Sequence, residues 1–270
     1  MSDIESDPPA QSTLAIRDIV AGAYLWQIWG ALGWQDIVLR YHRSRVGPFW
    51  LTISMGVTIG AIGVVYAGLF KADFAKYLPH VAIGVVVWGL ISGLVNDGCS
   101  AFIGGQASIK QVRLPLSVYV YRVVWRNLII FGHNFLIVVV VALIFDIRPG
   151  WIALLALPAI LLLCLNGVWL GLLLGLLSAR FRDVPQIVTN AMQVVFFVTP
   201  IIWQPDLLPN RPLVVTFNPF FYLVEIVRAP LSGESTPIRY WLTVLAVIFA
   251  GSAVALAMYA RFRRRIPYWI

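Results

Sequence analysis

The sequence predicts an all-α membrane protein. Six transmembrane helices are expected, with an N-terminal amphipathic interface helix before them and re-entrant outer helices between spans five and six. Three observations carry this. The chain of 270 residues is 60% hydrophobic and only 12% charged, where soluble chains carry about 25% charge. Its charge-free runs are long enough for a helix to cross a hydrocarbon layer roughly 30 Å thick. Its basic residues gather in the connections on one side of those runs, the bias that marks cytoplasmic loops.

Met1–Gln11 is acidic and carries prolines. It lacks the basic start and short apolar core of a cleaved signal peptide, and a mobile cytoplasmic tail is expected. Gln11–Leu39 mixes Tyr24, Trp26, Trp29 and Trp34 with Arg17, Asp18, Gln27, Gln35 and Asp36. Two placements suit that mixture: a helix in the headgroup plane, or a helix packed on protein. Residues 1–39 thus form a tail and an amphipathic segment, and 40–270 form the spanning unit. The join is Arg40–Trp50, RYHRSRVGPFW. Arg40, Arg43 and Arg45 prefer the cytoplasmic face, Gly47-Pro48 forces a break, and Trp50 suits the headgroup level.

Charge-free runs then place spans at about 49–70, 81–102, 128–145, 151–177, 187–203 and 240–259, with Asp97 tolerated in the second. The fourth is long and expected to tilt; the fifth is short, with Pro200 near its end. An even number of crossings returns the chain to its starting side. Lys110, Arg113, Arg122, Arg126, Arg180, Arg182 and the cluster Arg261–Arg265 share the side of the Arg40–Arg45 elbow. Both termini are therefore expected in the cytoplasm.

Two segments fit neither span nor plain loop. In the coupling region 104–127, Gln106–Val112 suits a short surface helix that Pro115 stops. In the outer segment 204–233, Val214–Val227 is interrupted by Asn218-Pro219. Each half is too short to cross, so two short helices that dip in and return are expected. Glu225 and Arg228 are three apart and can pair on one helical face.

Several chemistries are excluded or unsupported. No Gly-Lys pair exists, so there is no Walker-type phosphate loop and no nucleotide hydrolysis is expected of this chain. His42, His80 and His133 head no catalytic motif, and Cys99 and Cys164 are isolated. No catalytic residue, disulfide framework or metal ligand is assigned. The net charge of +8 reflects membrane topology rather than a nucleic-acid partner. Asp97, His133 and Asn134 lie in or beside apolar runs. They suit either the proton relay of an ion-coupled transporter or hydrogen bonding between helices.

The blocks RYHRSRVGPFW, KQVRLPLSVYVYRVVWRN (Lys110–Asn127), RFRDVPQIV (Arg180–Val188), TPIIW (Thr199–Trp203), NPFFYLVEIVRAPLSG (Asn218–Gly233) and the final RRRIPYWI carry a resemblance. Together, over nearly the whole chain and in order, they resemble the permease subunit of type-2 ABC exporters. The branch they resemble exports O-antigen of lipopolysaccharide, capsular polysaccharide and teichoic acid. The resemblance implies a homodimer in the bacterial plasma (inner) membrane, docked on two ATP-binding subunits that hold ATP and Mg, with no cofactor in this chain. It implies a lipid-linked polysaccharide as cargo. A small-molecule or lipid exporter of the same type is the alternative, and an ion-coupled transporter a more remote one.

The resemblance also implies site residues. Gln106, Lys110, Gln111 and Arg113 would form the coupling helix that meets the ATPase, with Arg180, Arg182 and Asp183 as a second contact. Asn218, Pro219, Phe220, Tyr222, Glu225 and Arg228 would form the outer gate. Tyr66, Phe70, Phe196, Phe197 and Trp203 would line the substrate path in the first and fifth spans, since aromatic faces give a sugar chain weak, repeated contacts. Arg40, Arg43 and Arg45 would either anchor the first span to anionic lipid or meet the phosphates of the lipid-linked polymer at entry.

Overall fold

A computed structural model of the chain describes residues 11–41, 49–204 and 213–270. The tail up to Ala10, the elbow residues Arg43 and Arg45, and the side chain of Arg40 lie outside the described residues. Every regular element among the described residues is helical.

The amphipathic segment forms two helices, α1 (Gln11–Tyr24) and α2 (Trp26–Tyr41), separated by a turn at Leu25. They pack on the later helices Ser117–Ile144 and Ile238–Phe262, while Tyr24, Trp26 and Trp34 stay exposed. Five helical segments are long and apolar enough to cross a membrane. The first is α3 (Phe49–Phe70). The second is α4 (Phe74–Cys99), which starts seven residues before the expected run. Asp73 caps it by accepting from Ala75 N, and Pro79 sits in its second turn, where the missing N–H costs one backbone bond.

The short helix α5 (Gln106–Gln111) follows, ending ahead of Pro115 as expected. The third long helix, α6 (Ser117–Ile144), begins eleven residues before the expected span at 128. Arg122 and Arg126 broke the charge-free run, yet both are paired: Arg122 Nε donates to Asp36 at 2.8 Å, and Arg126 bridges Asp36 at 3.0 Å and Asp97 at 2.8 Å. The fourth is a 3-10 turn (Gly150–Leu155) continuing into α7 (Ala156–Arg180).

Where the fifth span is expected at 187–203 stands α8 (Val184–Val198), an apolar helix of 15 residues that is not among the five long enough to cross. It stops because Pro200 biases Thr199 to extended angles, φ −83° and ψ 133°. Two short helices follow where the outer pair is expected, α9 (Leu213–Thr216) and α10 (Pro219–Leu231), with Asn218 capping α10 by accepting from Phe220 N. The last long helix, α11 (Ile238–Phe262), continues through a 3-10 turn (Arg263–Arg265) into α12 (Ile266–Trp269).

The core is built around α4. Of the most apolar stretch of each helix, 72% is buried in α4 but only 17% in α3 and 11% in the segment from α11 to α12. Glycines bring α4 against α7: a Cβ on Gly98 would lie 3.2 Å from the Gly171 backbone, and one on Gly175 would lie 3.1 Å from the Gly98 carbonyl. Small residues at such a contact let backbones approach, the usual device where lipid supplies no hydrophobic drive.

Candidate functional site

Helix α8 buries only Met192. Its exposed side carries Gln186, Asn190 and Gln193, spaced four and three residues apart and so stacked on one face. Gln186 Nε2 donates to Asn190 Oδ1 at 3.0 Å, and Thr189 Oγ1 donates to Asn96 Oδ1 of α4 at 3.2 Å. Between α4 and α8 runs an open groove of about 570 Å³, lined by Ser92, Asn96, Thr189 and Gln193 together with Trp88, Phe196 and Phe197. The result is a polar stripe flanked by aromatic rings on an otherwise apolar helix.

The aromatic residues expected along the path fall into two clusters. Phe196 packs on Trp88 with centroids 5.7 Å apart and on Phe197 at 5.3 Å. Trp203 Nε1 donates to Phe197 O at 3.0 Å, folding the turn after α8 back onto the helix. Tyr66 and Phe70 lie elsewhere, 5.7 Å apart on α3, with Phe70 against Tyr77 of α4. Tyr77 connects the clusters by donating its hydroxyl to Ile202 O.

Sequence reasoning passed over Trp88, Gln186, Asn190 and Gln193. Trp88 sits mid-helix, far from the headgroup level where Trp concentrates, and it also meets Phe220 of α10 at 5.8 Å. The spacing of the three amides was a legible signal, hidden because the run around them was read for hydropathy alone.

At the end of the molecule where α8 finishes, α10 is tied to the turn after α8. Asn218 Nδ2 donates to Thr199 Oγ1 at 2.9 Å. Arg228, only 3% exposed, donates Nε to Glu225 at 3.0 Å, and Nη1 to Pro200 O at 2.9 Å and to His80 Nε2 at 3.0 Å. Tyr222 donates to Thr216 O at 2.7 Å, and Pro219 occupies the first turn of α10. The six residues expected at the outer gate are thus gathered on α10 and its cap, with the Glu225–Arg228 pair formed.

At the opposite end, α5 buries none of its residues. Gln106, Lys110, Gln111 and Arg113 are exposed, as are Arg180, Arg182 and Asp183. The C-terminal segment joins these two groups. Lys110 Nζ donates to Ile270 O at 2.7 Å, Arg182 reaches Trp269 O at 3.5 Å, and the Arg180 guanidinium lies 5.7 Å from the centre of the Trp269 ring. Asp97 is held by Arg126 and by Asn127 Nδ2 at 2.9 Å, while His133 Nδ1 bonds Ile129 O of its own helix. These contacts match hydrogen bonding within and between helices.

Electrostatics tighten the α2–α6 contact. Burial alone would raise the Asp36 carboxyl, but hydrogen bonds and charge from Arg122 and Arg126 outweigh it and hold Asp36 below its ordinary value of 3.8. Among the described residues no group of three or more His, Cys, Asp or Glu could hold a metal ion.

Residues 27–232 match the ABC-2 type transporter family. The chain is 24% identical over 221 residues to the O-antigen export system permease protein RfbA of Myxococcus xanthus, covering 79% of this chain and 84% of that one. A protein of the same description from Klebsiella pneumoniae is 22% identical over 252 residues, covering 90% of this chain and 94% of its own. With the match running through most of its length, this multi-pass helical chain belongs to the ABC-2 type transporter family.

Proposed function

We propose that two copies of this chain form the membrane conduit of an ATP-driven exporter of a lipid-linked polysaccharide, with an O-antigen-type chain as the first cargo to test. Membrane subunits of this family are not ATPases; they work with separate ATP-binding subunits. The observation that carries the reading is the stripe Gln186, Asn190 and Gln193, exposed on α8, whose Gln193 shares a groove with Trp88, Phe196 and Phe197. Lipid tails leave such amides unsatisfied, whereas a wet path satisfies them. Hydroxyls of a sliding sugar chain exchange with amides, and its C–H faces pass over aromatic rings. The curated relatives, named as O-antigen export permeases, support the choice of cargo.

In this reading α8 and the turn after it make the fifth of six crossings. Thr189 meets Asn96 towards one end of α4, and Ile202 meets Tyr77 near the other, which supports a full passage. The contact of Asp18 on α1 with Tyr259 and Arg263 near the end of α11 supports both ends lying on one side, the cytoplasmic one by its basic residues. There α5 and Arg180–Asp183 receive the ATP-binding subunits, which carry ATP and Mg. Helices α9 and α10 form the re-entrant outer gate, and Arg40, Arg43 and Arg45 stand at the entry. The host membrane is the bacterial plasma membrane.

The test is reconstitution with its ATP-binding subunit. Lipid-linked polysaccharide should stimulate ATP hydrolysis and enter the vesicle lumen. Asn190→Leu together with Gln193→Leu should slow entry about tenfold, a barrier change near 1.4 kcal/mol, without loss of assembly. Transport of a lipid or small molecule with no response to polymer would give the function to the alternative cargo. Transport without any ATPase would overturn the exporter reading.

A further inference from the structure

A second cleft, of about 480 Å³, lies at the outer end, beside the gate helix and outside the α4–α8 groove. Its size falls in the roughly 300–1,000 Å³ range of small-molecule sites. His80 of α4, Tyr222, Glu225 and Arg228 of α10, and Tyr240 of α11 line it, with Glu234 at the exposed rim.

Among the described residues the charges lining this cleft cancel. Both Arg228 bonds to Glu225 fall on Oε2, and Nη1 faces His80 Nε2. A guanidinium only donates, so His80 Nε2 accepts and the imidazole is neutral. Glu234 and Arg239 add one acid and one base to the lining, and the Arg239 guanidinium lies 5.2 Å from the centre of the Tyr240 ring. The described lining thus carries no net charge with which to draw an ion. It offers unused acceptors and donors instead. Glu225 Oε1 receives no donor among the described residues, and the Gln204 amide and Tyr240 hydroxyl have no partner there either. An aromatic flank stands beside them, with Tyr222 and Tyr240 centroids 5.1 Å apart and Phe221 5.6 Å from Tyr240. Neutral charge, both hydrogen-bond senses and an aromatic edge together suit a ring bearing many hydroxyls.

We infer that this outer cleft is a saccharide-binding site that holds a short segment of the emerging chain. The inference rests on the polysaccharide reading above, and its location beside α10 puts any bound segment in contact with the Arg228–Glu225 pair that fastens the gate helix.

The test uses the reconstituted complex with Cys99→Ala and Cys164→Ala, carrying Glu234→Cys at the rim. Labelling by a membrane-impermeant maleimide is timed with and without the host's own surface polysaccharide, freed of lipid and added from outside. Lys71→Cys, exposed on the turn between α3 and α4 and not among the residues that line the cleft, is the control. Polysaccharide at ten times its dissociation constant should slow labelling at residue 234 about tenfold and leave residue 71 unchanged. Adding Tyr240→Ala should abolish the protection. Equal rates with and without polysaccharide, in a complex that still transports polymer, overturn the cleft and leave the export reading standing. Protection in a complex that transports no polymer keeps the cleft and removes the export reading.

Discussion

At residue scale, Asp18 joins three helices through one carboxylate. It accepts from Leu116 N at 3.2 Å, Ser117 N at 3.1 Å and the Tyr259 hydroxyl at 2.8 Å, and it lies 3.5 Å from Arg263. The first two are orphan donors at the start of α6, which has no side-chain cap of its own. Asp18→Ala should therefore destabilise by about 2–4 kcal/mol, combining a lost cap with a buried unsatisfied hydroxyl. Asp18→Asn should lose less, because its amide oxygen still accepts; thermal unfolding in detergent compares them. Asp36 makes a pH prediction. Its folded value lies below 3.8, so its stabilisation is fully present above that ordinary value and is lost only as pH falls through the lower, folded one. Hydrogen exchange in α2 should stay slow from neutral pH down to about 4 and rise only in stronger acid, and Asp36→Asn should make it fast already at neutral pH. Neither role was legible in the sequence. Asp18 and Asp36 read there as polar interruptions of an aromatic segment, since their bonding partners lie from 86 to 241 residues away.

At the scale of elements, hydropathy located the helices and misjudged where they start. A charge-free run starts α6 at 128, while pairing of Arg122 and Arg126 with Asp36 and Asp97 extends the helix back to Ser117. Local turn chemistry was readable: Pro115 follows α5, and Asn218-Pro219 opens α10. Packing was not, because the approach of α4 to α7 depends on which glycines face each other. Gly98→Leu should force those backbones apart by opposing Gly171 and Gly175. Overpacking of this kind costs about 1–3 kcal/mol or more, read as a lower melting midpoint. Gly30, whose Cβ would meet nothing within 4 Å, gives a control substitution to Ala with little effect. The C-terminal segment makes its own prediction. If the Lys110 bond to Ile270 O holds it against α5, Lys110→Ala should speed hydrogen exchange across residues 263–270 several-fold while leaving α7 protected. Unchanged exchange there would mean that burial of Ile266 and Ile270 suffices.

For the whole molecule, one chain leaves several helices largely uncovered, α3 and α8 among them. Helix α3 buries only Ile59, Gly63 and Ala67, and α8 only Met192. An apolar face by itself suits lipid, so the exposure of Val57 at 67% and Val64 at 65% on α3 decides nothing. The polar stripe on α8 does, because Gln186 and Asn190 satisfy only one amide group each through their mutual bond, and their remaining amide atoms and Gln193, all exposed, would meet only lipid tails. In the proposed dimer a second copy would enclose this stripe with water or cargo and remove that cost. There α3 of one copy would stand beside α8 of the other, a contact that a two-fold axis makes reciprocal. Val64→Cys with Val194→Cys, both near the outer ends of their helices and both exposed, should join two copies through a short bis-maleimide. The linked complex should lose polymer transport while keeping its bound ATP-binding subunits, since the path can no longer widen. A chain that runs as a monomer after treatment and transports at full rate would show that the stripe is covered in some other way. Linkage with transport intact would instead mean that α3 and α8 meet but do not part during export.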